Sequence, residues 1–230
     1  MARLGSRVMS ESQRRYHHGN LKDALIIAAA ELIETQGTTD FSITDAANLA
    51  GVSNAAPYRH FRDKQDLLEH VKELAFLGLY EALVEARGPA NPHQNNQRAV
   101  ISLGLAYLRF AREKHRFFSL MWEQLPLPDI TITKAAAFYV LVDAIAEFLA
   151  GNAKETGTER TSLVHERSVS DAGEPNIEDA RALQAATQLW ALAHGLATLE
   201  QNELLNRFDR SANAEQLLVT SAEALLAAYT

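Results

Sequence analysis

The chain has 230 residues, 47% hydrophobic and 22% charged, the balance of a globular protein that buries a sizeable core. Cysteine is absent, which excludes disulfide scaffolds, thiolate metal sites, cysteine nucleophiles and iron–sulfur clusters, and fits a reducing cytoplasm. The net charge of −7 is unevenly placed: residues 1–64 carry eight Lys/Arg against seven Asp/Glu, so the acidic excess lies beyond them. Binding to a polyanion follows the local patch, and the global sign does not exclude it.

Taken in order, the chain reads as all-α, with Ala/Leu/Glu-rich segments at helical spacing and no alternating β runs. Residues 1–15 read as a flexible tail without the apolar stretch of a signal peptide. A first helix is expected from Leu21 to about Thr35, with Asn20 as N-cap and Gly37 past its end. A second starts at Ser42, where Ser42 and Asp45 have capping spacing, and ends before Gly51. A third is expected from Ser53 to about Phe61, and a long fourth opens at Asp63 and runs to about Ala86. Beyond the breaker Gly88-Pro89-Ala90-Asn91-Pro92, helices are expected at about 94–113, 115–124 and 131–150, the last two parted by Pro126 and Pro128. The polar stretch 151–176 reads as a mobile loop. Final helices are expected at about 177–205 and 214–229, the latter capped by Asn213 with Gln216. The stretch Ala182–Leu199 has no formal charge, but Gln184, Thr187, Gln188 and His194 interrupt it, so it reads as a helix buried between others and not as a membrane span.

Residues 42–61, SITDAANLAGVSNAAPYRHF, have the pattern of a helix-turn-helix. Ile43, Ala46, Ala47 and Leu49 supply small apolar contacts, Gly51 permits the turn, and Val52 plugs the angle. Asn54, Ala55, Ala56 and Tyr58 are then left at the exposed start of the second helix, the end that meets base edges in the major groove.

With those residues in view, residues 16–72 resemble the DNA-binding domain of the TetR family of regulators. The matching features are the Ala-rich first helix, Gly37, Ile43 with Ala46-Ala47, Ala50-Gly51-Val52-Ser53, Tyr58-x-His60-Phe61 and Lys64-x-x-Leu67-Leu68. The resemblance implies that Asn54, Ala55 and Tyr58 touch bases or nearby backbone, that Thr44 reaches the groove edge, and that His60 and Lys64 contact phosphate. Backbone N–H groups at the start of the fourth helix would add to the Lys64 contact. Ser53, Ala56 and Arg59 complete the candidate DNA-contacting set. Ala55 stands where the family often has Gly, and Pro57 where it usually has a larger apolar residue. Arg14-Arg15-Tyr16-His17-His18 reads either as an arm on phosphates or as a solvated tail.

Further on, Trp190-x-x-x-His194-Gly195 resembles the signature of one group of C-terminal domains in that family. Two readings stay open. Trp190 and Gly195 pack core or dimer interface around a hydrogen-bonded His194, or His194 anchors an effector. Candidate pocket residues are Tyr107, Phe110, Phe118, Trp122, Phe138, Trp190 and His194, with Phe117 and Tyr139 nearby. Domains are expected at 16–68 for the reader and 69–230 for a helical effector-binding and dimerisation domain. No enzyme signature is found: no His-Glu-x-x-His, no phosphate-binding Gly-rich loop and no Gly-x-Ser-x-Gly elbow. Neither cofactor nor metal is expected.

The resemblance implies a one-component regulator, with double-stranded DNA, a second copy of the chain and a small-molecule effector as partners, and repression as its outcome. Its rivals are a DNA-binding protein governed by a protein partner and a helical small-molecule-binding protein or enzyme whose reader has lost its role.

Overall fold

The computed structural model describes residues 21–88, 96–123, 132–155, 180–208 and 210–229. Among them the regular structure is helical. The elements are α1 (Leu21–Gln36), α2 (Ile43–Leu49), a 3-10 turn (Pro57–Arg59), α3 (Lys64–Arg87), α4 (Asn96–Glu113), α5 (His115–Trp122), α6 (Ile132–Glu155), α7 (Ala180–Gln201), α8 (Leu205–Phe208) and α9 (Ala214–Ala227). The chain divides into two compact units, one ending at Lys72 and the other beginning at Glu73.

In the first unit α1 buries Leu25, Ala28, Ala29, Leu32 and Ile33, and it packs on α2, whose Ile43, Ala46 and Ala47 are also buried. The alanines matter because they let two helices approach closely with little side-chain entropy lost. Helix α2 begins with a full capping box: the Ser42 side chain accepts the Asp45 N–H, and the Asp45 carboxylate accepts the Ser42 N–H at 2.8 Å. Its end is a Schellman turn, with Val52 N–H donating to Ala47 C=O at 3.0 Å and Gly51 N–H to Asn48 C=O at 3.1 Å. The turn puts Gly51 at φ 72°, where a side chain would cost about 1–2 kcal/mol.

The second unit is a helical core in which α4, α6 and α7 pack on one another and α9 packs on α4 and α7. Leu103, Tyr107, Leu108, Ile145, Leu189 and Leu218 lie at its centre. Two ion-pair groups tie helices together. Arg87 at the end of α3 meets Glu147 of α6 at 2.6 Å, and Arg112 of α4 reaches both Glu200 of α7 at 3.1 Å and Glu215 of α9 at 3.0 Å.

Three expectations are corrected. The helix expected from Ser53 to Phe61 is a run of tight turns: Ala56 N–H donates to Ser53 C=O, and His60 N–H to Pro57 C=O, each at 2.9 Å. Pro57 has no N–H to return to Ser53, so the i to i−4 pattern cannot start there. The helix expected to stop at about 150 continues to Glu155. The helix expected from 177 to 205 breaks after Gln201, because Glu203 adopts φ 55° in a second Schellman turn whose Leu204 N–H donates to Leu199 C=O at 2.9 Å; its expected start at 177 lies outside the described residues. The tail with Arg14 to His18, the proline pair 126/128 and most of the 151–176 stretch lie outside the described residues.

Candidate nucleic-acid interface and apolar cavity

The turn at Gly51 sends the chain away from α2, and Ala56, Pro57 and Phe61 anchor the following segment by burial. Those anchors leave Ser53, Asn54, Ala55, Tyr58, Arg59 and His60 exposed on one short stretch. Tyr58 is 58% exposed, unusual for so large an apolar ring. An exposed phenol, an amide and a hydroxyl, flanked by a guanidinium and an imidazole, supply donors and acceptors for base edges and phosphates. Ala56 is the exception. Its methyl is only 9% exposed, so it braces the segment and does not present itself to a ligand.

Thr44 sits half-buried in the first turn of α2, its hydroxyl 2.7 Å from that of Ser42. Lys64 is the first residue of α3, and its Nζ lies 5.1 Å from the centre of the Phe41 ring. That cation–π contact holds the ammonium close to the domain wall while leaving its hydrogens available. At the helix N-terminus behind it, one of the first N–H groups is already taken. The Asp63 carboxylate takes the Asp66 N–H at 2.9 Å, and the Asp66 carboxylate takes the Arg62 N–H at 2.9 Å. That last bond, aided by the Arg62 charge, holds the Asp66 carboxyl below its ordinary pKa. Opposite, Phe61 is braced edge-on by His70, with ring centres 5.4 Å apart, and His70 Nδ1–H donates to the Asp66 carbonyl at 2.8 Å.

In the second unit the expected pocket aromatics are brought together, but chiefly as a packed cluster. Trp122 lies 4.8 Å from His194, Tyr107 lies 5.0 Å from Trp190, and Phe138 lies 5.6 Å from Trp190, all in edge-to-face arrangements. Phe118 stands 5.5 Å from Tyr107. His194 Nδ1 is 3.0 Å from the Tyr107 hydroxyl, so the hydrogen-bonded interior reading describes this histidine. Burial lowers the His194 pKa and raises that of Tyr107, leaving both uncharged at neutral pH. Phe110 stands apart, against Gly78. The Trp122 indole N–H is buried and has no hydrogen-bond partner among the described residues.

Beside this cluster lies a cavity. Tyr107 and Trp190 line it; Phe110, Phe118, Trp122, Phe138 and His194 do not. The rest of its wall is aliphatic: Leu83 from α3, Val100, Ile101, Leu103 and Gly104 from α4, Leu141 from α6, Leu189 and Ala193 from α7, Leu218 and Ala222 from α9. Sequence reading missed these because an aliphatic residue on a cavity wall has the same spacing as one in solid core. Gly104 is the single clue, since a buried-face glycine inside an amphipathic helix marks a close approach. A Cβ there would fall 2.7 Å from Leu218 Cδ2. Gly195, expected to admit a neighbouring backbone, has nothing within 4 Å of where its Cβ would stand. Among the described residues no cluster of His, Cys, Asp or Glu is arranged to hold a metal, and no helix is long and apolar enough to cross a membrane.

Comparison with known proteins agrees with both halves. Residues 25–71 match the description of bacterial regulatory proteins of the tetR family, and residues 100–226 match the tetracyclin repressor-like C-terminal domain. The narrower group that Trp190, His194 and Gly195 resemble is not distinguished by these matches. A 91-residue stretch is 30% identical to the HTH-type transcriptional regulator AcrR of Shigella flexneri, covering 39% of this chain. The match spans only 40% of that relative's length. A solved structure of a protein of unknown function from Rhodococcus sp. RHA1 is similar with a TM-score of 0.66 and 26% identity, over 93% of this chain and 97% of that one. A TetR family protein from Vibrio parahaemolyticus shares the fold, with a TM-score of 0.54 and 18% identity over 91% and 98% of the two chains. The reader, its bracing and the helical unit that follows it in the chain agree with these matches: the chain belongs to the TetR family of regulators, DNA-binding proteins and not enzymes.

Proposed function

We propose that this regulator is a cytoplasmic, one-component repressor that binds a pseudo-palindromic operator as a homodimer and is released by a small-molecule effector. The observation that carries the reading is the exposed stretch Ser53–His60, held out by the burial of Ala56, Pro57 and Phe61. Asn54, Ala55 and Tyr58 read bases, with Ser53 and Thr44 at the groove edge, and Arg59, His60 and Lys64 fix the register on phosphates. So few base contacts discriminate weakly, and two copies on a twofold axis square that discrimination.

Support for the dimer comes from the outward faces of α7 and α9. Gln184, Gln188, Ala191 and Thr198 are exposed along α7, with Gly195 half-buried among them, and Leu217, Thr220, Ser221, Ala224 and Ala228 are exposed along α9. None is charged, and the space above Gly195 is open for a neighbouring chain. Support for effector control comes from the cavity wall, to which α3 contributes Leu83, because the same helix begins at Lys64. A ligand pressing on Leu83 biases a helix that carries a phosphate contact, and repression ends when the two readers no longer fit successive grooves.

The test is selection of bound duplexes from a random pool, followed by light scattering of the complex. The expected result is an inverted repeat bound by two chains. Selection of a single, non-repeated site by one chain refutes the dimeric reading, and recovery of no sequence refutes operator recognition.

A further inference from the structure

We infer that the cavity bounded by α3, α4, α6, α7 and α9 takes an uncharged, predominantly apolar molecule and rejects organic ions of the same size. The inference rests on the effector reading above and specifies the chemistry of that effector. Ten of the twelve lining residues are aliphatic or glycine, and the other two are Tyr107 and Trp190. No lining residue carries a charge. The Tyr107 hydroxyl is already engaged with His194, at 3.0 Å. An ionised ligand would therefore lose its hydration with no counter-charge on the wall, a cost that apolar contact does not offset. A neutral molecule meets aliphatic groups and two aromatic rings, which favour an apolar or aromatic partner.

The cavity is tight. Its volume is about 20 Å³, on the measure by which one water needs roughly 10–15 Å³. Counting its open mouth and the solvent there, the empty space is about 400 Å³. Occupation requires a wall to move, and Leu218 is the wall best placed to do so. It is an alkyl side chain without polar bonds, and it lies over Gly104 in the room that the missing Cβ leaves. Withdrawing Leu218 opens the floor of the cavity. Adding a methyl at Gly104, 2.7 Å from Leu218 Cδ2, displaces it from its present seat into the remaining space.

The test titrates the full-length protein with ethylbenzene, benzoate and benzylammonium, following tryptophan fluorescence. The chain has two tryptophans, of which Trp190 lines the cavity. DNA affinity is read in parallel on a duplex chosen by selection. Ethylbenzene is expected to shift the emission, with both ions weaker by about tenfold or more. Leu218→Ala should tighten ethylbenzene and Gly104→Ala should weaken it, each by about threefold or more. Equal or stronger binding of either ion overturns the inference, as does ethylbenzene binding that neither substitution changes. Two further outcomes separate it from the parent reading. Duplex binding with no fluorescence response to any probe overturns the inference and leaves the DNA reader intact. Tight ethylbenzene binding that leaves duplex affinity unchanged supports the cavity chemistry and removes the effector role.

Discussion

Lys64 offers the sharpest test of how this reader meets DNA. Its ammonium stands 5.1 Å from the Phe41 ring centre, and the Asp63 carboxylate already takes the Asp66 N–H in the first turn of its helix. Replacing it with Ala removes one cation from each reader. For duplex DNA each neutralised phosphate contributes about 0.9 to the slope of log affinity against log salt. Two readers carry two copies of Lys64, so Lys64→Ala should flatten the slope by about 1.8 in a dimer complex and by about 0.9 if one reader binds. Between about 50 and 200 mM salt, the dimeric wild type should lose about twelvefold more affinity than the variant. The assay is fluorescence anisotropy on one labelled duplex over that salt range, repeated on duplexes with altered half-sites. Asn54→Ala and Tyr58→Phe should instead change the ranking of half-sites and leave the slope in place. Loss of the contact with Phe41 costs at most about 1 kcal/mol, so the folded reader survives the change. An unchanged slope for Lys64→Ala, or a uniform loss on every duplex from all three substitutions, would refute the division of roles.

Four further outcomes follow from the geometry. Ser42→Ala removes the hydroxyl that caps α2 and should lower stability by about 1 kcal/mol in urea unfolding; an unmoved midpoint would show that water replaces the cap without loss. Glu203→Gly relieves a left-handed backbone at φ 55° and, after the entropy of glycine is subtracted, should stabilise by up to about 1 kcal/mol; a lower melting temperature would assign the Glu203 side chain a compensating role. Tyr107→Phe deletes the bond to His194 and should cost about 1 kcal/mol, seen as an earlier thermal transition; no change would mean that the bond has no net worth. Because burial holds the His194 pKa below its ordinary value of 6.5, the unfolded chain binds that proton more readily than the folded one. Its contribution to stability is full above about pH 6.5 and declines as pH falls from there towards the folded value. His194→Gln should flatten this decline in the difference between the two proteins' urea midpoints; parallel midpoints would place the titration elsewhere.

Much of the reader was legible before any tertiary information. Ser42 and Asp45 bond to each other across three residues, and Gly51 supplies a backbone conformation that depends on one residue type, so both ends of α2 follow from local chemistry. The segment after Gly51 departs from the helix expected there because the start signal at Ser53 is followed by Pro57, which lacks the N–H the first turn needs. Ala56 was misplaced for another reason: on a segment of irregular turns, helical periodicity no longer says which side chain faces inward.

Sequence alone determined the helical class, the caps, the reader's position and the family, because these follow from residue type and short spacing. Tertiary structure decided which aromatics pack solidly, which aliphatic residues border empty space, and that Gly104 and not Gly195 is closely approached within the chain. Those outcomes depend on whether side chains from distant helices reach the same point, and periodicity along one helix cannot distinguish a filled neighbour from a void.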